Sequence, residues 1–265
     1  INQRRDVWLP RIAELAKEMP EATESEIGWQ VVRELSLEAA KLLEPIFEAE
    51  NGRNGRLSMQ TDPRLARSAQ ALADQAEEFH NLAKNIIVKI PATSVGVEAI
   101  EEATYRGVSV NVTVSFSVAQ AVTTGEAIER GLKRREAEDK DTSQMGPVVT
   151  LMVGRLDDWI KEVAARDKMF LDPGHLEWCG VAAFKRAYQE FRKRGLRARM
   201  LSAAFRNVMH WSEFVGGDVV VSPPFKWAKL INDSDYKMEE RMDIPVREDI
   251  MKTLLSIPEF VRAYE

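Results

Sequence analysis

Six short apolar segments, separated by longer amphipathic stretches, constrain the fold of this chain more than any other feature of its sequence. The segments are mostly rich in Val, Ile and Leu and are too apolar for a sheet with one face in water. They are predicted as strands at Arg56–Thr61, Ile86–Ile90, Val108–Val114, Val148–Met152, Arg199–Ala203 and Val219–Ser222. Helices are predicted between most of them, at Pro63–Ala83, Val95–Arg106, Val118–Arg135 and Trp178–Arg194. This alternation indicates right-handed βαβ crossovers and an α/β fold with a parallel sheet.

Two α/β architectures are built from such units: an open doubly wound sheet and a (β/α)8 TIM barrel. A dinucleotide-binding sheet would carry a GxGxxG turn after its first strand, and the sequence has no such motif. The glycine-containing segment Gly52-Arg53-Asn54-Gly55 precedes a strand instead. The sequence therefore predicts a (β/α)8 barrel of which two strands are missing from this chain.

The predicted barrel is a single domain that covers the whole chain without an internal linker. Residues 1–50 are predicted as a helical lead-in, residues 51–222 as the βα core, and residues 223–265 as C-terminal helices. In the lead-in, Thr23 and Glu26 have the spacing of a capping box, which marks the start of a helix.

Composition excludes several classes of protein. The chain is 45% hydrophobic and 30% charged, which is typical of globular rather than disordered proteins. Lys and Arg total 37 against 42 Asp and Glu, and the net charge of −5 argues against nucleic acid or an anionic membrane as partner. The one cysteine, Cys179, allows no intrachain disulfide, and no apolar run approaches the roughly 20 residues of a membrane span. We therefore expect a cytoplasmic protein, and the composition leaves a homo-oligomer open.

Lys89 is the first candidate for chemistry, because it lies near the end of the apolar strand Ile86–Ile90. A lysine in an apolar environment is costly to keep charged, so burial would lower its pKa and leave a free amine for Schiff-base formation. The residues alone also allow a lysine that extends from the strand end into water.

Other polar residues share strand faces, and the carboxyl ends of barrel strands line the active site of that fold. Asn111 and Thr113 share one face of the third strand, and Ser58 and Gln60 share one face of the first. Either a binding site or a set of satisfied core hydrogen bonds would account for the Asn111 and Thr113 pair. Asp62, followed by proline, is predicted to cap a helix, so Gln60 is the candidate on this strand.

Thr150, a candidate substrate-binding residue, lies on the fourth strand, Arg155 lies just beyond its end, and Arg206 lies just beyond the end of the fifth strand. Arginines beyond strand ends suit a phosphate group, although each by itself would equally fit a surface ion pair. The three histidines have no metal-binding spacing, and the sequence indicates no metal site.

Four blocks of the sequence carry a specific pattern. They are Lys89-Ile90-Pro91-Ala92-Thr93-x-x-Gly96, Gly107-Val108-x-x-Asn111-Val112-Thr113-x-x-Phe116-Ser117-x-x-Gln120-Ala121, Val153-Gly154-Arg155-Leu156-Asp157-Asp158-Trp159 and Ser202-Ala203-Ala204-Phe205-Arg206-Asn207. In this order and spacing, between about Arg56 and Ser222, they resemble the transaldolase family.

The resemblance implies a (β/α)8 barrel that moves a dihydroxyacetone unit from a ketose phosphate to an aldose phosphate, without a cofactor. It implies that Lys89 forms the Schiff base, that Asn111 holds the hydroxyls of the donor, and that Thr113 helps to hold the catalytic water. It also implies that Arg155 and Arg206 bind phosphate, so phosphorylated sugars are the expected partners.

The sequence departs from the family pattern at several positions. Thr150 replaces the usual Ser, Met152 the usual aromatic residue, and Ala204 a phosphate-binding Ser. Gln60 stands where the common pattern has a Glu that orients a proton-shuttling water. The family's first-strand Asp and its Thr-x-Asn-Pro turn are not found, so we expect the missing strands to be the first two of the barrel.

Three functions remain in competition on the sequence alone. The leading hypothesis is a transaldolase-type transferase that works through Lys89. The second is a fructose-6-phosphate aldolase-like lyase, because related aldolases also carry Gln at the position of Gln60, although the Asn111 and Thr113 pair favours transaldolase. The third is a non-catalytic paralogue acting as a binding or scaffold protein, because the acid–base Asp is not found.

Overall fold

The computed structural model describes residues 4–265, and six parallel strands form its central sheet. The strands are β1 (Leu57–Gln60), β2 (Ile86–Pro91), β3 (Val110–Thr113), β4 (Val148–Leu151), β5 (Arg199–Ala203) and β6 (Val219–Ser222). Each strand pairs with the next one along the chain, and the sheet curls into a half-barrel. This sequential order excludes the doubly wound alternative, in which the strand order reverses at a switch point. All six predicted strands are confirmed.

Two helices precede the strands and the others follow them. They are α1 (Arg5–Glu18), α2 (Glu24–Ala49), α3 (Ala69–His80), α4 (Ser94–Tyr105), α5 (Val118–Glu136), α6 (Val153–Arg166), α7 (Pro173–Leu176), α8 (Cys179–Arg194), α9 (Met209–Ser212), α10 (Phe225–Asn232), α11 (Glu248–Leu254) and α12 (Pro258–Tyr264). Of these, α3, α4, α5 and α6 are among those that pack against the sheet. The prediction of one helix over Pro63–Ala83 was wrong in detail, because a 3-10 turn at Pro63–Leu65 is separated from α3. Two caps cause the break: Asp62 accepts a hydrogen bond from Arg64 N (2.9 Å), and Ser68 accepts one from Ala71 N (3.2 Å).

The two faces of the sheet have different roles. Val88, Ile90 and Val112 lie on the convex face, fully buried in the main core between the sheet and the helices. The concave face has a smaller apolar cluster that includes Ile87 and Leu201. Because successive side chains of a strand point to opposite faces, every second residue of β2 and β3 faces the interior of the curl.

The predicted lead-in consists of the hairpin of α1 and α2, and its residues 1–3 lie outside the described part of the chain. The capping box at the start of α2 is confirmed, since Thr23 N donates to Glu26 Oε2 (2.7 Å) and Glu26 N donates to Thr23 Oγ1 (3.3 Å). Trp8 and Val31 belong to a separate apolar cluster that joins the two helices.

The sheet is open at its two edges in the part of the chain that is described. There, β1 and β6 each pair with one neighbouring strand only. The curl nevertheless brings the segments before these strands together, because Arg53 Nη2 lies 2.5 Å from Asp218 Oδ1. Within residues 4–265, none of the helices is long and apolar enough to cross a membrane.

Candidate active site

A row of polar side chains crosses the concave face near the carboxyl ends of β1, β2 and β3. Gln60 is the register partner of Lys89, and Lys89 is the register partner of Asn111. Adjacent strands lie about 4.8 Å apart, so the three side chains are direct neighbours in the sheet. Thr113 follows on the same face, beside Pro91 at the end of β2. The topology thus brings together four of the residues that the sequence singled out.

Lys89 is half-buried in this row, between apolar residues that point to the opposite face. Burial lowers the pKa of its ammonium group below the ordinary value, and no charge in the described residues offsets that effect. A lysine with a lowered pKa has a larger fraction of neutral amine, which is the form that attacks a carbonyl carbon.

Asn111 is held in one orientation by its neighbours. Thr150 Oγ1 donates to Asn111 Oδ1 (2.7 Å), and Asn111 Nδ2 donates to Ser58 Oγ (3.1 Å). Asn111 and Thr150 are both buried, so these bonds are shielded from water. The sequence placed Ser58 on the right face but did not select it; its contact with Asn111 spans 53 residues of chain.

Gln60 and Thr113 occupy different environments. Gln60 is exposed on the edge strand, and its Nε2 donates to the carbonyl oxygen of Lys89 (3.2 Å). Thr113 is buried, and its carbonyl oxygen accepts a hydrogen bond from Ala92 N (2.7 Å). The amide nitrogen of Gln60 therefore holds this side chain to the strand that carries Lys89, and its amide oxygen takes no part in that hydrogen bond.

Two non-glycine residues with positive φ follow the strand ends at this site. Val114, directly after β3, has φ of 53°, and Ala204, directly after β5, has φ of 63°. The left-handed region is unfavourable for a residue with a Cβ and worse for a β-branched one, so both turns carry backbone strain. Such strain is concentrated at functional sites in many proteins.

The two candidate arginines converge on one carboxylate, Asp158. Arg206 Nη2 lies 2.6 Å from Asp158 Oδ2, and its Nε lies 3.0 Å from Oδ1. Arg206 Nη1 donates to the carbonyl oxygens of Ala204 (3.0 Å) and Phe205 (3.1 Å), so most of its donors are occupied. Arg155 lies 3.9 Å from Asp158, and its exposed guanidinium lines a groove of ≈ 760 Å³. Arg155 therefore has more donors free for an anion than Arg206 has.

A fully buried pair, Asp157 and His210, supports the segment that carries Arg206. His210 Nε2 lies 2.7 Å from Asp157 Oδ2, and Arg206 N donates to His210 Nδ1 (3.0 Å). Because Nδ1 accepts, Nε2 carries the proton and donates to the carboxylate. Asp157 Oδ1 also accepts from Gly180 N at the start of α8 (2.7 Å). Burial raises the pKa of Asp157, and the hydrogen bond from His210 opposes that shift.

Sequence reasoning missed this pair, although both residues lie inside or beside the quoted motifs. Asp157 precedes Asp158 in the third block, and His210 follows Arg206 by four positions. No metal-binding or catalytic spacing links them, since 53 residues separate the two. The one cysteine, Cys179, is buried.

In residues 4–265, no group of three or more His, Cys, Asp or Glu side chains is arranged to hold a metal ion. The arrangement thus consists of a half-buried amine among uncharged hydrogen-bonding groups, with two arginines beyond the strand ends. Such a site is suited to covalent attack on a carbonyl of an anionic substrate.

A family model described as Transaldolase/Fructose-6-phosphate aldolase matches residues 8–259 of the chain. This chain belongs to that family. The match extends well beyond the four motif blocks and includes most of the lead-in and of the C-terminal helices.

Curated relatives from several bacteria carry transaldolase names. Transaldolase 2 of a Nostoc species is 29% identical over an alignment of 220 positions, which covers 70% of this chain and 57% of that protein. Transaldolase of Thiobacillus denitrificans is 38% identical over 122 residues, 45% of this chain and 34% of that protein. Transaldolase 1 of Streptomyces avermitilis is 37% identical over 130 residues, 48% of this chain and 34% of that protein. The chain thus spans little more than half the length of the Nostoc relative.

Proposed function

We propose that the protein is a transaldolase-type transferase that moves a dihydroxyacetone unit between phosphorylated sugars through a Schiff base on Lys89. The position of Lys89 carries this proposal: it is a half-buried amine with a lowered pKa, placed between Gln60 and Asn111 on the concave face. Membership of the family supports the reaction class.

In the proposed reaction, Lys89 Nζ attacks the ketose carbonyl carbon to form a carbinolamine, which loses water to give an imine. The C4 hydroxyl of the ketose then gives its proton to the water in the site, and the bond between C3 and C4 breaks, which releases an aldose phosphate and leaves C1 to C3 on Lys89 as an enamine. The enamine carbon attacks the aldehyde of the acceptor, and water then hydrolyses the new imine and regenerates the amine. Asn111 is proposed to hold the donor's hydroxyls, with Thr150 fixing its amide, and Thr113 and Gln60 to position the water.

Arg155 and Arg206 are proposed to bind the phosphate group of the sugar. Both follow strand ends on the carboxyl side of the sheet, where barrel enzymes bind their substrates. Asp158 is proposed to hold the two guanidinium groups in place before the phosphate group of the substrate binds to them. Arg155, which has the freer donors, is proposed as the main contact.

Borohydride trapping tests the mechanism. Incubation with fructose 6-phosphate and borohydride should reduce an imine onto Lys89, and Lys89→Met should abolish the adduct, because no other residue replaces a covalent nucleophile. Lys84→Met is the control, since Lys84 forms exposed ion pairs with Glu44 and Glu48 away from the row. An adduct on another residue, or none, would contradict the proposal and favour the non-catalytic paralogue.

The lyase is the second candidate, and Gln60 is the observation that favours it. A glutamine orients water but cannot act as an anionic base, so the fate of the enamine depends on uncharged groups. We propose that transfer still dominates, because Asn111 and Thr113 remain to hold the intermediate and the water. Release of glyceraldehyde 3-phosphate should therefore require an acceptor such as erythrose 4-phosphate. Sustained release without an acceptor, together with free dihydroxyacetone, would establish the aldolase.

We further propose that the half-barrel is part of a single-domain (β/α)8 barrel in which two more strands lie between β6 and β1. The one-sided pairing of these two strands within the described residues supports this closure. The main core runs from Met59 in β1 to Phe260 in α12, which supports one domain. A cytoplasmic location is proposed from the composition.

A further inference from the structure

The amino end of the sheet, opposite the candidate active site, collects three half-buried arginines that form no ion pair with an acidic side chain of residues 4–265. Among the half-buried arginines of residues 4–265, four form ion pairs with Asp or Glu, namely Arg11, Arg33, Arg106 and Arg241. The other three are Arg56, Arg135 and Arg199, and each belongs to a segment at the amino end of the sheet or beside it. Three unneutralised guanidinium groups at one end of a fold are not expected from packing alone.

Arg56 and Arg135 bind neutral backbone oxygens instead of carboxylates. Arg56 Nε donates to Gly52 O (2.7 Å), and its guanidinium stacks 4.9 Å from the centre of the Phe47 ring. Arg135 Nη1 donates to Tyr105 O (2.9 Å), and its Nη2 donates to Asp141 O (2.9 Å). These bonds fix both planar groups in space, and neither guanidinium forms an ion pair within residues 4–265.

The two guanidinium groups line one groove of ≈ 250 Å³, together with His80 and Lys84. Arg135 Nε and His80 Nδ1 are buried and have no hydrogen-bond partner in the described part of the chain. Buried polar atoms are nearly always paired, so the unpaired Nε leaves the Arg135 guanidinium under-satisfied, which favours an anion at the part of this group that lines the groove. Gly107 keeps the approach open, since a Cβ there would lie 2.8 Å from Arg135 Nη1.

The charges that face the groove are predominantly positive. Burial and the nearby charge of Arg199 lower the pKa of Arg56 to about 10, which reflects an uncompensated cation. Asp141 is the one carboxylate in the lining, and its oxygens accept from Ser143 N (2.8 Å) and Ser143 Oγ (3.0 Å). Lys84 is already neutralised by two glutamates on α2.

We propose that this groove binds a phosphate group, held by Arg56 and Arg135, at a site separate from that of the sugar substrate. A phosphate group accepts several hydrogen bonds from planar guanidinium groups, and its charge neutralises two arginines at once. The ligand is inorganic phosphate or a small phosphorylated compound, since the groove is open to solvent and of matching size. The proposal does not depend on the proposed transferase activity.

The test uses the double variant Arg155→Gln/Arg206→Gln, which lacks both arginines that are proposed to bind phosphate in the substrate site. Inorganic phosphate and ribose 5-phosphate are titrated separately by isothermal calorimetry, and the arm that binds more tightly identifies the source of the phosphate group. Adding Arg56→Gln or Arg135→Gln should weaken binding at least about tenfold, because each removes charge-assisted hydrogen bonds. Adding Arg134→Gln is the matched control, since this neighbouring arginine pairs with Glu101 and Glu102 and should leave the affinity unchanged.

A measurement on the unaltered chain covers the case in which these variants fail to fold. In a spectrum of the arginine Nε–H groups, phosphate should shift the Arg135 signal, because phosphate binds to the guanidinium group to which this Nε–H belongs. No binding of either compound, binding insensitive to Arg56→Gln and Arg135→Gln, or an unmoved Arg135 signal would each overturn the proposal.

Discussion

At the scale of single residues, Lys89 combines a charge with a half-buried position in the polar row. Its lowered pKa means that the folded state pays a cost for the ammonium form that the unfolded chain does not. Below the folded-state pKa this cost is present in full. As pH rises toward the ordinary value of 10.5, the unfolded chain binds a proton that the folded chain has released, so the stability of the wild-type protein increases.

We therefore predict that Lys89→Met is more stable than the wild-type protein at pH 7 and that the difference shrinks as pH approaches 10.5. Urea unfolding between pH 7 and 10 measures the two free energies of unfolding. Lys84→Met, which removes an ion-paired lysine, should show no such gain. A difference that stays constant with pH would show that Lys89 is fully hydrated in the folded state.

Arg155 and Arg206 should differ in what they contribute to the stability of the protein, in addition to binding phosphate. Arg155→Ala should weaken productive binding of fructose 6-phosphate by about 2 kcal/mol and leave fructose unaffected, because its guanidinium has free donors. Arg206→Ala should show the same selectivity and also cost about 1–2 kcal/mol of stability, because Arg206 binds Asp158 and two loop carbonyls. Steady-state kinetics with both donors and urea unfolding separate the two effects. If a variant loses as much productive binding with fructose as with fructose 6-phosphate, the arginine that it replaces has a structural role.

Strain at Val114 is a further property of one residue. Because Val114 is β-branched and has φ of 53°, Val114→Gly should relieve the strain and stabilise the protein by about 0.5–1 kcal/mol, despite the greater freedom of the unfolded chain. Val112→Gly is the control: its φ is not positive and its side chain is buried, so it should be strongly destabilising. Urea unfolding gives both values, and a loss of stability in Val114→Gly would show that side-chain contacts outweigh the strain.

At the scale of elements, the buried pair of Asp157 and His210 joins α6 to the segment after β5. Asp157→Asn retains an oxygen for only one of the two buried donors, Gly180 N and His210 Nε2, so the other loses its partner. We predict a loss of about 2 kcal/mol in the free energy of unfolding and weaker phosphate binding through the displaced Arg206.

The matched control for this element is Asp167→Asn, at an exposed ion pair with Arg166 beyond the end of α6. Exposed pairs contribute little, so this change should stay within about 0.5 kcal/mol of the wild-type value. If Asp157→Asn is equally mild, the pair does not hold the Arg206 segment.

At the scale of the whole molecule, the described chain leaves apolar surface beside an open sheet. On α2, the side chains of Val32 (38% exposed), Leu35 (40%), Leu42 (81%) and Ile46 (47%) recur at intervals of three, seven and four residues, on one side of the helix. The edges of β1 and β6 add unpaired backbone groups. Surface of this kind associates with other surface of the same kind in water.

We predict that the 265-residue chain self-associates at concentrations of about 10–100 μM, as light scattering after gel filtration would show. Leu42→Lys/Ile46→Lys should reduce the mean mass, because it places charge in the stripe. Phe170→Lys, at a fully exposed position outside the stripe, should leave the mean mass unchanged. A monomer at every concentration would show that neither the strand edges nor the exposed apolar residues of α2 cause association.

The sequence by itself determined the features that depend on neighbouring residues. The six strands, the capping box at Thr23 and the cap at Asp62 were predictable, because periodicity and capping act within a few positions of the chain. The family was also readable, since its motifs are contiguous blocks. Alternation along β2 and β3 was enough to expect Asn111 and Thr113 on one face.

The tertiary structure decided which distant residues meet. Asp158 and Arg206 are 48 positions apart, and Asp157 and His210 are 53 apart, so their contacts exist only because α6 and the segment after β5 are adjacent in the folded sheet. The same reason places Arg56 and Arg135 on one groove. A local pattern states which face of an element is polar, but only the order and curl of the strands determine what that face encounters.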